Sequence, residues 1–513
     1  MEWHNQPNPF RFYEGAPLVT LPLSIAGSGR SYGELFAPPR NSAPLNIETL
    51  SRMLRFALGL SAWKQAGSQR WPLRMNPSSG NLHPTEGYAI LPALSGVAGG
   101  LYHYDPFRHA LERRAAVTEE LWRPIEKCMG GPGFLVGLTS IYWREAWKYG
   151  ERAFRYCHLD AGHALAALSL AARLNGWRLT PLTDLDDARG SALLGLDRAV
   201  WPTPEDAERF DLLAWVSCAA AGESVPLTLP EALTAPLAQL PLLGRPNRLS
   251  AQATRWSIIY ETDAAGHKPA TDQPRPKLAP PAWHYPPPED LSAEAIIRRR
   301  RSAQDYDPSR TIAAQQFFAI LERTLPYADS APFESAPLWP GVNILFFVHR
   351  VEDVEPGLYF WERSAEQAAL LREISRADFP WKPAHETLPL WRLHTGDVTL
   401  ESLELCCHQE IAGYGAFAAA MIAPFLPVIE ATPFYYRHLY WECGMIGQVL
   451  YLEAEAQGLR GTGIGCFFDD PTHELLGLPD DRFQSLYHFT IGHAMEDARL
   501  TTLPGYDHLK SNK

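Results

Sequence analysis

Leu159-Asp160-Ala161-Gly162 and Trp441-Glu442-Cys443-Gly444 are two short stretches of one 513-residue chain, and reading them as copies of each other decides the fold. Each opens a helical pattern, with apolar residues such as Leu165, Leu168, Leu170 and Leu174 recurring at helical spacing in the first. Further on, Leu193-Leu194-Gly195-Leu196 returns as Leu475-Leu476-Gly477-Leu478, at the same separation as Gly162 and Gly444. Upstream, Gly100-Leu101-Tyr102 returns as Gly357-Leu358-Tyr359, and both halves close on an apolar strand ending in glycine, Leu212 to Gly222 and Leu486 to Gly492. A chain that repeats itself in register is two diverged copies of one unit. The predicted architecture is therefore α+β, with copies at residues 1–245 and 291–513 packed as a pseudo-dimer inside one chain. A proline-rich connector, 246–290, joins them; its Ala279–Glu289 stretch is stiff and extended.

The periodicity predicts helices at Ile47–Gly59, Tyr149–Leu174 and Ala188–Gly195 in the first copy. In the second it predicts Ala293–Arg301, Ala313–Thr324, Leu400–Ile422 and Tyr435–Gly458. Composition narrows the function. With 46% hydrophobic residues the chain can bury a large cofactor site, and a formal charge of −12 excludes a general nucleic-acid binder. Seven scattered cysteines, without a Cys-x-x-Cys and with Cys406 beside Cys407, make neither a disulfide framework nor a zinc site and suit a reducing cytoplasm. The N-terminal residues lack a secretory signal, and the longest apolar run, Tyr414 to Ile429, is broken by Pro424 and Pro427, so no membrane span is expected.

Four segments could carry chemistry. Arg74-Met-Asn-Pro-Ser-Ser-Gly-Asn-Leu-His-Pro-Thr-Glu-Gly-Tyr88 is a knot of turn formers feeding an apolar run. Such a loop, through Pro77, Ser78, Ser79, Gly80 and Asn81, can present N–H groups and hydroxyls to a flat or anionic ligand, or it can be a plain surface turn. Arg298-Arg299-Arg300-Arg301-Ser302 cannot all face one way. One or two arginines should point inward to an anion, unless the run is a solvated basic face. Gly461-Thr462-Gly463-Ile464-Gly465 follows a helix, the wrong order for a dinucleotide fingerprint; it reads as a loop lying over something flat, or as a capping turn. Lys148-Tyr149, just before a buried helix, can manage a proton at carbon or nitrogen where burial tunes a pKa; as an isolated dipeptide it can also be structural. Ser61-Ala62-Trp63-Lys64 lacks the companions of a Ser-x-x-Lys nucleophile. His438 and Glu442 lack a third metal ligand, and His158 and His163 read as structural.

Together these segments resemble the nitroreductase-like flavoprotein superfamily, and within it the SagB-type dehydrogenases of thiazole/oxazole-modified peptide biosynthesis. The resemblance implies two interlocked units with FMN at their interface. Pro77-Ser78-Ser79-Gly80-Asn81 would form one wall, with Arg74 at its start; Arg300-Arg301-Ser302 and Gly463-Ile464-Gly465 would form the other. Gly100–Asp105 and the Arg144–His163 block carry the SagB-type likeness, in which Lys148-Tyr149 matches a pair implicated in azoline oxidation. It implies a small-molecule or modified-peptide substrate, a possible peptide-modifying complex, and no metal, nucleic acid or membrane partner. An NAD(P)H-dependent nitro- or quinone reductase and a non-catalytic flavin-binding scaffold are the other two readings. The pseudo-symmetric twin of this site is eroded: Gly29-Arg30-Ser31 is poorer by an arginine, Trp177–Pro181 has no glycine pair, and Ala336–Gly341 has lost both serines. One FMN per chain is expected. The insertion Leu388–Leu400 and the connector stand outside the resemblance.

Overall fold

The structure, a computed structural model, describes residues 2–219, 228–271, 277–337 and 341–510. Gly222 and positions 338–340 of the eroded loop lie outside the described residues.

The two quoted stretches mark the point where the molecule is pinned together. Helix Ala153–Leu174 crosses helix Tyr435–Ala456, and the crossing is at Gly162 and Gly444. A Cβ on Gly162 would stand 2.2 Å from the carbonyl oxygen of Trp441, and one on Gly444 would stand 2.2 Å from that of Leu159. The backbones touch because neither residue has a side chain. Both helices are buried almost end to end, which is why their sequences are apolar nearly all round.

Each half adds a seven-stranded antiparallel sheet. In the first, the spatial order is Leu18–Thr20, Ala110–Ala116, Gly100–Asp105, Thr85–Leu91, Gly133–Ser140, Arg209–Ser217, Arg178–Pro181. In the second it is Lys382–Pro383, Leu390–Thr395, Gly357–Trp361, Asn343–Val348, Phe417–Pro424, Phe483–Gly492, Arg460–Ile464. The repeated Gly-Leu-Tyr opens the same strand of both sheets, and both edge strands follow the long helix. The expected two α+β units packed as a pseudo-dimer are thus observed.

Several local expectations are corrected. Leu400–Ile422 is not one helix: it is helix Thr399–Leu405, helix Glu410–Tyr414 and then the buried strand Phe417–Pro424. A short continuous apolar run fits a buried strand as well as a buried helix, and Gly413 and Gly415 interrupt the helical reading. Helix Tyr142–Tyr149 precedes the first long helix, and the break falls at Gly150, with φ 57°. Helix Ala293–Arg299 stops before Arg300, whose ψ of 126° takes the chain out of the helix. Gly461–Gly465 is not a loop but mostly edge strand, paired with Phe483–Gly492. Leu390–Thr395, within the supposed insertion, is a strand of the second sheet. The 246–290 stretch is more than a connector: Leu249 and Ile259 are buried against Ile141 and Phe154 of the first half.

One feature positions the loop that follows it. The hairpin of Leu60–Ala66 and Gln69–Arg74 takes Thr501–Pro504, from the far end of the chain, as a third strand. Tyr506 accepts from Leu60 N at 2.9 Å, and Trp63 Nε1 donates to Gly505 O at 2.8 Å. The hairpin therefore delivers Arg74 and the turn-rich loop to a place framed by both halves.

Candidate functional site

At that place lies a cavity of about 420 Å³, within the range of sites that bury a cofactor-sized ligand. One wall is the loop from the first half: Arg74, Pro77, Ser78, Ser79, Gly80 and Asn81 all line it. The opposite wall comes from the second half, through Arg300, Arg301, Ser302, Gly463, Ile464 and Gly465. Segments more than two hundred residues apart in sequence are thus brought face to face.

The loop is held in an unusual shape. Gly80, Asn81 and His83 have φ of 58°, 61° and 54°, and Asn81 bonds Pro72 O and the His83 ring. Asp160, in the first of the two quoted stretches, receives Ser79 N at 3.0 Å and Ser79 Oγ at 3.1 Å. Burial pushes its carboxyl up to about 7. Glu145, also buried, is raised well above the usual carboxylate range by burial, and the nearby Asp160 adds to it.

The arginine run divides as its spacing requires. Arg298 and Arg299 are exposed, Arg300 is buried and Arg301 is half-buried. Arg300 Nη2 donates to Arg74 O at 2.9 Å and its guanidinium lies 5.1 Å from the Tyr451 ring centre. Arg301 reaches Ser61 O at 3.3 Å; burial lowers it to about 10, and Arg300 and Arg460 push the same way. Among the described residues, Nε of both arginines, Asn76 Oδ1 and His83 Nδ1 are buried without a hydrogen-bond partner. Buried polar atoms left unpaired at a cavity wall are the groups a polar ligand would satisfy. Arg74 Nε is likewise buried without a partner, while its two other guanidinium nitrogens bond Thr85 O and Pro9 O and brace the loop.

The edge strand is equally confined. Tyr451 Oη bonds Ser302 Oγ at 2.8 Å and accepts from Gly463 N at 2.9 Å. A Cβ on Gly463 would fall 1.8 Å from Tyr487 Oη, so only glycine lets the strand lie this close. Tyr149 lines the cavity. Its hydroxyl stands 2.5 Å, and Lys148 Nζ 3.1 Å, from the point where a Cβ on Gly80 would be. Tyr149 therefore faces this cavity, and Lys148, exposed and not among the lining residues, stands beside it next to Gly80. Burial, with Glu145 adding to it, pushes the Tyr149 phenol up.

Sequence reading missed several wall residues. Asp160 sat inside a stretch read only for its repeat, and His163 was read as structural, yet both line the cavity. Lys64 lines it too, although its Ser-x-x-Lys context led nowhere. Only Asp160 had a usable signal, an acidic residue near the centre of a helix otherwise buried and apolar.

Among the described residues the twin position has little open space. Glu442, the counterpart of Asp160, accepts from Gly341 N at 2.8 Å and Val342 N at 3.2 Å and pairs with buried Arg363. The space lined by Ala336, Pro337, His438, Glu442 and Met445 is about 20 Å³, room for roughly one water. Trp177 is fully buried beside the other edge strand. In the first copy Arg30 is paired locally, donating to Glu34 Oε1 at 2.9 Å.

Two antiparallel sheets joined across a pair of crossed helices, with a polar cavity at the joint, define an interlocked α+β fold of the flavoprotein kind. The chain belongs to the nitroreductase family, which it matches over residues 41–203 and 297–493, one match in each half. Members of that family are typically flavin-dependent oxidoreductases. It is 32% identical over 136 residues to a protein of Methanocaldococcus jannaschii described as a candidate nitroreductase, an alignment covering 26% of this chain and 65% of that protein. The crystal structure of a candidate nitroreductase from Anabaena variabilis superposes with a TM-score of 0.68 at 20% identity, covering 96% of this chain and 95% of that one. That likeness extends the fold over both halves. Among the described residues no helix is long and apolar enough to cross a membrane.

Proposed function

We propose that the chain is an FMN-dependent oxidoreductase of the SagB type, carrying one flavin and oxidising an azoline or similar heterocycle in a peptide, with oxygen as final acceptor. The observation that carries this reading is the polar cavity framed by both halves, with Tyr149 at its wall and Lys148 beside it. Arg300 and Arg301 would hold the anionic or heterocyclic edges of the cofactor, since their buried, unpaired Nε atoms need an acceptor. Ser78, Ser79, Asn81 and the Gly463–Gly465 strand would frame its flat part. The flavin, when bound, supplies the two-electron chemistry.

The protein's own part is placement and proton handling. Tyr149, held protonated by burial, orients a heteroatom by donating a hydrogen bond. Lys148 is the group proposed to take the proton that leaves carbon. Asp160, which titrates near 7 in the same cavity, can hold that proton in turn. Lys148→Ala is expected to keep the flavin absorbance and slow turnover of an azoline peptide by about 10²-fold or more; unchanged turnover removes Lys148 from the reaction.

A second reading, a reductase driven by a nicotinamide nucleotide, has support in the basic groove beside the cavity, where Arg298, Arg299 and Arg460 stand together. Bleaching of bound flavin by NADPH would favour it. A colourless protein that cannot be reconstituted with FMN would leave only a scaffold role.

A further inference from the structure

We propose that Cys407 and Cys466 are a reversible dithiol–disulfide pair built into the cavity wall and oxidised by exchange with a low-molecular-weight disulfide. Cys466 directly follows Gly465, lines the cavity and is exposed. Cys407 sits in the turn between helices Thr399–Leu405 and Glu410–Tyr414, and its φ of 54° turns the chain so that its sulfur meets that of Cys466 at 2.7 Å. Gln409 ties the two segments together, donating to Cys406 O at 2.8 Å and to Cys466 O at 3.0 Å. Small side-chain rotations would bring the sulfurs to bonding distance without moving the backbones apart.

Other roles for the cluster fit less well. Among the described residues no group of three or more His, Cys, Asp or Glu side chains is arranged to hold a metal ion. Cys406, though adjacent in sequence, is buried with its sulfur 3.3 Å from His488 Nδ1. Burial pushes the Cys407 thiol up to about 12, with its Cys466 neighbour adding to the shift, so the exposed Cys466 is the thiol that meets an oxidant first.

The exchange balances in two steps. The Cys466 thiolate attacks one sulfur of the small disulfide, forming a mixed disulfide and releasing one small thiolate. Cys407, losing its proton, then attacks Cys466 sulfur and expels the second. The two protein thiols lose two electrons, and the small disulfide gains them as two thiols. The bridge would fasten the end of the Arg460–Ile464 edge strand to the Thr399–Tyr414 segment and remove a thiol from the cavity wall.

The test uses the full chain equilibrated with glutathione over a range of oxidised-to-reduced ratios, quenched in acid, alkylated and mapped by mass spectrometry without reduction. The expected result is a 407–466 cross-link that forms and reverses with the ratio while Cys406 stays alkylatable after unfolding. Cys407→Ser should trap glutathione on Cys466, and Cys466→Ser should abolish the cross-link. Glutathione persisting on Cys466 of the unmodified sequence, a bridge through Cys406, or no oxidation across the range would each overturn the proposal. The readout is covalent, so it stands apart from flavin content.

Discussion

Asp160 and Glu442 occupy the same place in the two copies, two residues before the glycine at which the long helices cross, yet they do opposite work. Glu442 is matched: Arg363 neutralises it, and two backbone N–H groups fill its remaining valences. By the Gly-Leu-Tyr alignment the first copy has Pro106 where the second has Arg363. Among the described residues Asp160 has no such cation; it holds the Ser79 turn beside a cavity, and burial raises it to about 7. One joint is filled by packing and the other opens on a cavity. A buried charge that is fully paired serves structure, whereas one left partly unpaired next to a cavity keeps its capacity to exchange a proton.

The largest effect that should separate the joints is on stability. Glu442→Ala strands Arg363 in the interior and is expected to cost about 3–5 kcal/mol, read by denaturant unfolding, with ligand sites per folded chain unchanged. A cost under 1 kcal/mol would mean that the twin joint is not held by this pair.

Next comes pH. Between the ordinary aspartate pKa and about 7 the unfolded chain has released the Asp160 proton and the folded chain still holds it. Stability therefore falls as pH rises through that window, by at most about 4 kcal/mol from this group. Asp160→Asn should flatten the fall in Tm from about pH 4 to 7; an unaltered slope would show that Asp160 is not the raised group.

The smallest effect concerns the edge strands. Gly463→Val must displace Tyr487 and is expected to weaken FMN binding by about 1–3 kcal/mol in a titration. Pro181→Val, at the matching position of the other edge strand, should leave it unchanged. Equal losses would contradict the asymmetry.

The repeat was legible because a helix crossing at backbone distance needs glycine in both copies, so Gly162 and Gly444 kept their register while their neighbours diverged. The composite wall was legible for a related reason: Gly80 and Gly463 stand where side chains do not fit. Phe417–Pro424 was misread because a buried strand carries no alternation to distinguish it from a helix. Asp160, His163 and Lys64 were missed because their roles come from tertiary neighbours such as Ser79 and Tyr487, which local pattern does not encode. The thiol pair was hidden in the same way, since its members are 59 residues apart.

The central claim is that one joint of this duplicated chain binds a flavin and the other cannot. The direct measurement is the absorbance spectrum of FMN-reconstituted protein, with flavin and chain counted independently. A ratio near one per chain is predicted; a ratio near two, or none retained, would contradict it.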